Sequence, residues 1–157
     1  MTTTNPKVVM VFGTFDYLHA GHEDYIKQAR EHGDIVIAIV GRDSTVAKVK
    51  SRKPDHDERE RLNTLKESGL ADKVFLGNLK DKHKIILKYK PDVICLGYDQ
   101  YAFTYTLQKN IIDNKLNTEI VRLKPYRPEV YKSSIIKEKV MAKGSKKHSA
   151  QQSISFN

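Results

Sequence analysis

Short runs of β-branched and other apolar residues alternate with helical patterns along most of this chain. The run Ile35–Val40 is apolar at every position, which is typical of a strand in a parallel sheet covered by helices on both faces. Strand–helix alternation also favours right-handed crossovers between parallel strands. The sequence therefore predicts an α/β fold with a doubly wound, five-stranded parallel sheet and helices on both faces. The predicted strands are Lys7–Phe12, Ile35–Val40, Val74–Leu76, Val93–Leu96 and Glu119–Leu123.

Helical patterns occupy the intervals between these runs and continue after the last one. Their predicted bounds are Ala20–Glu31, Asp57–Lys66, Asp81–Tyr89, Thr106–Asn114 and Ser133–Ala142. Asp57 and Glu60 have the spacing of a capping box, with Asp in place of the usual Ser or Thr. A polar, basic loop is expected over Lys48–His56. Because ligands bind outside the carboxyl ends of parallel strands, functional residues should follow the first, second and fourth strands.

Size, cysteine content and charge narrow the class of protein. The 157 residues are predicted to form one domain over residues 1–142, followed by a disordered tail, residues 143–157, with little apolar content. One cysteine, Cys95, cannot form an intrachain disulfide and favours a reducing, cytoplasmic location. No apolar stretch approaches the ~20 residues of a membrane span. The net charge of +9 suits polyphosphate ligands, and no base-reading motif accompanies it to indicate nucleic acid.

The segment Gly13–His22, with the sequence GTFDYLHAGH, joins the first predicted strand to the first predicted helix. A helix start directs backbone N–H groups and a positive dipole end at an anion, and Gly13 and Gly21 would leave room for a phosphate. His19 and His22 are three residues apart, so both imidazoles can donate hydrogen bonds to one phosphorylated ligand. The alternatives are a metal-binding pair or two surface histidines.

This motif resembles the HxGH signature of the cytidylyltransferase-like nucleotidyltransferases, which have a Rossmann-like fold. The resemblance implies transfer of a nucleoside monophosphate from a nucleoside triphosphate to a phosphate monoester, with release of pyrophosphate. His19 and His22 would then be catalytic, and Mg²⁺ would be the cofactor. Asp16 is a candidate metal ligand, with a plain turn residue as the alternative. The residues of the motif that would bind the nucleotide are Gly13, Thr14, Phe15, Asp16 and Gly21.

The resemblance also assigns two basic residues. In this family a lysine of the loop after the second strand and an arginine of the next helix bind phosphates. The lysine corresponds to Lys50, with Lys53 as its alternative. The arginine corresponds to Arg61, with Arg59 as its competitor. Judged by composition alone, the same lysines would belong to a solvated loop.

Two later segments are further candidate nucleotide contacts. The segment after the fourth predicted strand should lie near the base or ribose, unless it only forms a turn. The segment before the last predicted helix takes the place of the family's Ser/Thr-rich element, which holds the triphosphate; helix capping explains its serines equally well. The candidate contacts are Gly97, Asp99 and Gln100 in the first segment, and Lys132, Ser133 and Ser134 in the second.

Several segments resemble archaeal-type FAD synthases, which transfer AMP from ATP to FMN. They are Arg42–Val46, Arg52–Pro54 and Leu96–Gln100, whereas Tyr131–Lys137 departs from the R-x-x-G-I-S-T-T form of glycerol-3-phosphate cytidylyltransferases. We therefore expect ATP and FMN as substrates, with aromatic or aliphatic surface for the flavin ring. The candidate acceptor contacts are Lys53, Tyr98, Tyr101 and Phe103.

Three alternatives stay open at this point. One is CTP-dependent transfer to glycerol 3-phosphate, and another is adenylylation of a heptose phosphate. The third is a nucleotide- or nucleic-acid-binding module without turnover, because a fold alone does not determine function. Intact His19 and His22 favour an enzyme. Whether the chain acts alone or as a homodimer is also left open.

Overall fold

The structure, a computed structural model, describes residues 5–81, 83–98, 100 and 104–125. The strands are β1 Val8–Gly13, β2 Ile35–Val40, β3 Lys73–Leu76, β4 Val93–Leu96 and β5 Glu119–Arg122. The helices are α1 Ala20–Arg30, α2 Asp43–Lys50, α3 Glu58–Ser68, α4 Lys84–Tyr89 and α5 Thr104–Asp113. In these residues strands and helices alternate, except that two helices, α2 and α3, lie between β2 and β3.

The five strands form one parallel sheet in the order β3-β2-β1-β4-β5. The chain therefore builds outward from β1 in one direction with β2 and β3, and then returns to the other side of β1 with β4 and β5. A strand order that reverses in this way creates a topological switch point, here between β1 and β4. The predicted doubly wound parallel sheet is confirmed.

Alternating strand residues pack against different helices, because successive side chains of a strand point to opposite faces of the sheet. Val9 and Val11 of β1 belong to a core that contains residues of α1 and α3. Met10 and Phe12 belong to a second core that contains residues of α4 and α5. Helices thus cover both faces, which explains why the central strands are apolar at nearly every position.

Most predicted elements are confirmed to within one or two residues at each end. Asp57 caps α3, since its Oδ1 accepts from the Glu60 N–H at 2.8 Å. Two predictions were wrong. Helix α4 begins at Lys84 rather than Asp81, and the helix α2 was not predicted; its last residues, Lys48–Lys50, fall in the segment predicted as a loop over Lys48–His56. No clear helical period marks α2 in the sequence, because this helix buries only Val46.

Other predictions fall outside the described residues or concern the membrane. The predicted helix Ser133–Ala142, the domain end at residue 142 and the tail 143–157 all lie beyond residue 125, the last one that the structure describes. Among the helices that are described, none has both the length and the apolar character needed to cross a membrane.

Two isoleucines on neighbouring helices give a matched test of this packing. Ile86 of α4 is 0% exposed, whereas Ile112 of α5 is 73% exposed. Ile86→Ala should lower the free energy of unfolding by about 2–5 kcal/mol, because it deletes buried methyl groups and leaves a cavity. Ile112→Ala should change it by less than about 0.5 kcal/mol. Urea unfolding of both variants checks the difference, and equal effects would contradict the assignment of α4 to the core.

Candidate active site

The segment between β1 and α1 makes two tight bends. Phe15 and Tyr17 have φ values of 55° and 53°, in the left-handed region that non-glycine residues seldom adopt. Each such residue costs about 1–3 kcal/mol and persists only where surrounding contacts impose it. Here Phe15 is almost fully buried in the core beneath α1. The bends bring the chain back so that α1 begins at the carboxyl edge of the sheet.

Gly13 packs closely against an aromatic ring. A Cβ at Gly13 would lie 2.8 Å from Cε2 of Phe15, so this contact alone requires glycine there, and the predicted nucleotide contact of Gly13 stays a prediction. The Phe15 ring centroid lies 5.4 Å from that of His22 and 6.4 Å from that of Tyr25. The Phe15 side chain, predicted to bind nucleotide, is therefore a core residue that supports His22.

His19 and His22 cap the helix that carries them. His19 is the N-cap of α1, and its Nδ1 accepts from the Gly21 N–H at 3.0 Å. Nδ1 of His22 accepts from the His19 N–H at 3.3 Å, which completes a capping box built from two histidines. The rings stack with centroids 3.9 Å apart. Because both Nδ1 atoms are acceptors, the proton of each neutral ring lies on Nε2.

Both histidines are neutral at physiological pH in this structure. Burial lowers the pKa of His19 to about 4. Burial also lowers the pKa of His22 to about 3, with smaller contributions from His19 and the Lys50 ammonium group. Each imidazole can therefore offer an Nε2–H donor without carrying a charge of its own. Lys50 and Lys53 are both exposed, and the charge of Lys50, the predicted catalytic lysine, acts on His22.

Asp16 connects the motif to the loop that precedes α3. Its Oδ2 accepts from the Asp55 N–H at 2.8 Å, and its Oδ1 accepts from the His56 N–H at 3.3 Å and lies 2.6 Å from Nδ1 of that histidine. Tyr17 supports the same connection by donating its hydroxyl to Asp55 at 2.6 Å, and this hydrogen bond raises the pKa of Tyr17 to about 12.

These contacts bear on the expected metal site. Both carboxylate oxygens of Asp16 already accept hydrogen bonds from the protein. In the described part of the chain, no three His, Cys, Asp or Glu side chains are grouped to hold a metal ion. The described residues therefore group no second and third side-chain ligand with Asp16, and its role as a ligand of Mg²⁺ stays a prediction.

Arg61 is a buried strut in this structure. It is 1% exposed, and its guanidinium donates to the Thr14 carbonyl at 2.8 Å, the His56 carbonyl at 2.9 Å and Asp43 Oδ1 at 2.7 Å. Arg61 was predicted to bind phosphates directly. In this structure its guanidinium is buried and binds protein groups instead. The competing residue Arg59 is exposed on the same helix.

A second set of charges joins the starts of α2 and α3. Arg42 donates to Glu58 at 2.7 Å and to the Gly77 carbonyl at 2.7 Å, and Glu58 also accepts from the Asp43 N–H at 3.0 Å. Since Asp43 pairs with Arg61, one network spans the edge formed by β1, β2 and β3. The Arg42–Asp43 segment carried part of the resemblance to FAD synthases. In this structure it links the starts of α2 and α3.

The segment after β4 is only partly described. Gly97 and Gln100 lie at the carboxyl edge, and the amide of Gln100 is engaged by the protein: Nε2 donates to the Phe12 carbonyl at 2.6 Å, and Oε1 accepts from the Gly97 N–H at 2.9 Å. Tyr98 is half-buried beside them. The predicted contacts Asp99, Tyr101, Phe103, Lys132, Ser133 and Ser134 lie outside the described residues.

Two residues that organise this edge, Tyr25 and Arg122, were not among the predicted site residues. For Arg61, whose burial was also missed, a signal was present. It lies four residues before Leu65, which is buried, so the two share one face of α3, whereas Arg59 does not. Nothing comparable distinguishes Arg122, because an exposed arginine on an edge strand is common.

The sheet order, the switch point and the histidine-capped helix define a class of nucleotide-binding α/β domain, and comparison agrees. Residues 10–139 match the cytidylyltransferase-like family, to which this chain belongs. A solved structure described as a lipopolysaccharide core biosynthesis protein of Thermoplasma volcanium is 38% identical, with a TM-score of 0.72 over 78% of this chain and 99% of that chain. Pantothenate synthetase of Thermus thermophilus shares the fold alone, at 18% identity and a TM-score of 0.55, over 83% of this chain and 61% of that one.

Two relatives of this chain carry the same functional name, FAD synthase. The FAD synthase of Thermoplasma volcanium is 38% identical over 133 residues, which are 85% of this chain and 93% of that protein. The FAD synthase of Methanothermus fervidus is 40% identical over 121 residues, 75% of this chain and 83% of its own length. The resemblance read from the motif is therefore confirmed at the level of the family.

Arg61 and Arg59 provide a test of the buried strut on a single helix. Arg61→Met should lower the free energy of unfolding by about 3 kcal/mol, because Asp43 and two carbonyls lose their partner. Arg59→Met should change it by less than about 0.5 kcal/mol. Urea unfolding measures both, and a loss at Arg61 no larger than that at Arg59 would contradict the strut.

The histidine pair should make stability depend on pH. Below pH 6.5 the histidines of the unfolded chain take up protons, whereas in the folded chain they stay neutral down to about pH 4 for His19 and about pH 3 for His22. Protonation therefore favours unfolding, and stability present above pH 6.5 is lost as the pH falls toward 4. Asn places an acceptor oxygen near the position of Nδ1 and can cap without titrating. Unfolding free energies measured from pH 7 to 5 should fall more steeply for the native chain than for the His19→Asn/His22→Asn variant; parallel curves would contradict this linkage.

Proposed function

We propose that this chain catalyses the transfer of AMP from ATP to FMN, forming FAD and releasing pyrophosphate. The observation that carries the reaction type is the capping box of His19 and His22 at the carboxyl edge of a doubly wound sheet. The names of the relatives support the choice of substrates, since two FAD synthases are 38–40% identical over three quarters or more of this chain.

The reaction needs little acid–base chemistry from the protein. A phosphate oxygen of FMN attacks the α-phosphorus of ATP, a new P–O bond forms, and the bond to the β-phosphate breaks as pyrophosphate leaves. The attacking phosphate monoester is already largely dianionic at neutral pH, so no general base is required. The protein's tasks are to position the two substrates and to stabilise the charge on the transferring group.

The histidine pair suits the second task. Both Nδ1 atoms accept from backbone N–H groups, so Nε2–H is the donor that each ring would direct at oxygens of the transferring phosphate. Their orientation is set before the ligand arrives, so little reorganisation is needed. The ammonium group of Lys50, whose charge acts on His22, would add positive charge for the leaving pyrophosphate.

Magnesium enters this proposal as part of the substrate. The described residues form no cluster of three or more side-chain metal ligands, and Asp16 also holds two loop N–H groups. Triphosphates bind Mg²⁺ through their own oxygens, so the ion would arrive as MgATP.

The cysteine bears on where the reaction occurs. A free, buried Cys95 fits a reducing cytoplasm as that place.

A panel of substrates tests the proposed reaction. MgATP and FMN should yield FAD, detected by chromatography, together with pyrophosphate. Excess EDTA should abolish the product because the triphosphate loses its metal. CTP with glycerol 3-phosphate serves as the comparison. If this second pair releases pyrophosphate and FMN is not converted, the FMN assignment fails and a glycerol-3-phosphate cytidylyltransferase replaces it.

The Nε2–H donors can be tested apart from the cap. At either histidine, Asn keeps an acceptor near Nδ1 but lacks the distal donor, whereas Gln carries an amide donor near the position of Nε2. Loss of one preorganised donor lowers kcat by about 10²–10³-fold, so His22→Asn should fall by that factor. His22→Gln should retain more turnover than His22→Asn. Near-native kcat in His19→Asn/His22→Asn would remove the histidines from the chemistry.

A further inference from the structure

The central strand β1 and its neighbour β4 stop pairing before their carboxyl ends, unlike the other strand pairs of the sheet. Their register ends at Val11 and Cys95, whereas β1 and β2 stay paired to Gly13 and Val40, the last residues of both strands. The gap between the carboxyl ends of β1 and β4, which we call the crevice, is therefore the opening that the switch point creates. Ligands of doubly wound sheets bind at such an opening.

Side chains take over where this strand ladder stops. The Tyr25 hydroxyl of α1 lies 3.1 Å from the Phe12 carbonyl of β1 and 3.1 Å from the Cys95 carbonyl of β4. It also lies 3.3 Å from Oε1 of Gln100, whose Nε2 donates to the same Phe12 carbonyl. The base of the crevice is thus bridged by two side chains from different elements.

Arg122 holds the same segment from the other side. This residue ends the edge strand β5, and its Nη1 donates to the carbonyls of Gly97 at 2.8 Å and Gln100 at 2.9 Å. Its Nη2 donates to Thr104 Oγ1 at 3.2 Å, in the first turn of α5. One guanidinium therefore fixes the backbone at both ends of a short turn that borders the crevice.

We infer that Tyr25, Gln100 and Arg122 form a crevice clip, a set of positioning residues that shapes the segment after β4 for nucleotide binding. This inference rests on the proposed function. Without the clip, the segment would have to be ordered when the nucleotide binds, and the entropy cost would appear as lost affinity. The phosphoryl-transfer step depends on the histidine pair and should be affected less.

Substitutions at Arg122 test the clip, with Arg30 as the matched control. Arg30 also bridges a carboxylate and a carbonyl, those of Asp72 and Leu70, but at the amino edge of the sheet. Arg122→Met should weaken MgATP binding, measured by calorimetry, about tenfold, and leave kcat at saturation within about twofold. Arg30→Met should leave both unchanged. Thermal unfolding reports whether each variant is folded.

Two further variants separate the clip from simple charge attraction. Arg122→Lys keeps the positive charge but has one donor nitrogen in place of two, so it cannot hold the two carbonyls and Thr104 Oγ1 together. Its MgATP affinity should stay reduced, and native affinity in this variant would overturn the clip. Tyr25→Phe removes one hydroxyl, should also weaken MgATP binding, and decides the matter if Arg122→Met does not fold. Unchanged affinity in Tyr25→Phe and in every folded Arg122 variant, or equal weakening in Arg30→Met, would overturn the inference.

The outcomes for the clip and for the reaction can be told apart. If MgATP binding depends on Arg122 and Tyr25 while FMN is not converted to FAD, the clip stands and the proposed acceptor is wrong. If the native chain makes FAD and the variants bind MgATP normally, the reaction stands and the clip is wrong. A native chain that binds neither MgATP nor MgCTP would overturn both.

Discussion

The buried guanidinium of Arg61 holds together three segments that are distant in sequence. Its bonds reach the turn after β1, the loop before α3 and the first residue of α2. A charge without exposure to water is stable only when its hydrogen bonds are made by fixed partners, and here two of the three partners are backbone carbonyls. The positions of the histidine motif and of Lys50 at the far end of α2 therefore depend on one residue that need not touch a ligand.

The two histidines also have a structural role in addition to the proposed catalytic one. A helix start leaves backbone N–H groups without partners, and short polar side chains usually satisfy them. His19 and His22 satisfy two of them through Nδ1, so a structural requirement fixes the tautomer that a phosphate site requires. Burial keeps both rings uncharged. The nitrogen atom that caps the helix thus also determines which nitrogen of each ring carries the proton.

The extent to which sequence predicted this molecule follows from what each residue signals. Ile35–Val40 and Val93–Leu96 were placed with correct bounds because a strand buried on both faces must be apolar throughout. The histidine motif was found because its spacing is rare outside this family. Helix α2 was missed because it buries one residue, and the contacts of Arg61, Gln100 and Asp16 were missed because they are tertiary. A polar side chain beside a phosphate and one beside a carbonyl look the same in sequence.

The pairing of the central strand also has a consequence for the order of assembly. The first strand of the chain needs neighbours on both sides, and one of them begins at Val93. The Val8 N–H even bonds to the side chain of Asp92, 84 positions later. Contacts between residues so far apart in sequence form late and slow the folding of parallel sheets. During synthesis the histidines emerge before β4 and β5, so the edge of the sheet beside them is completed only after those later strands have followed.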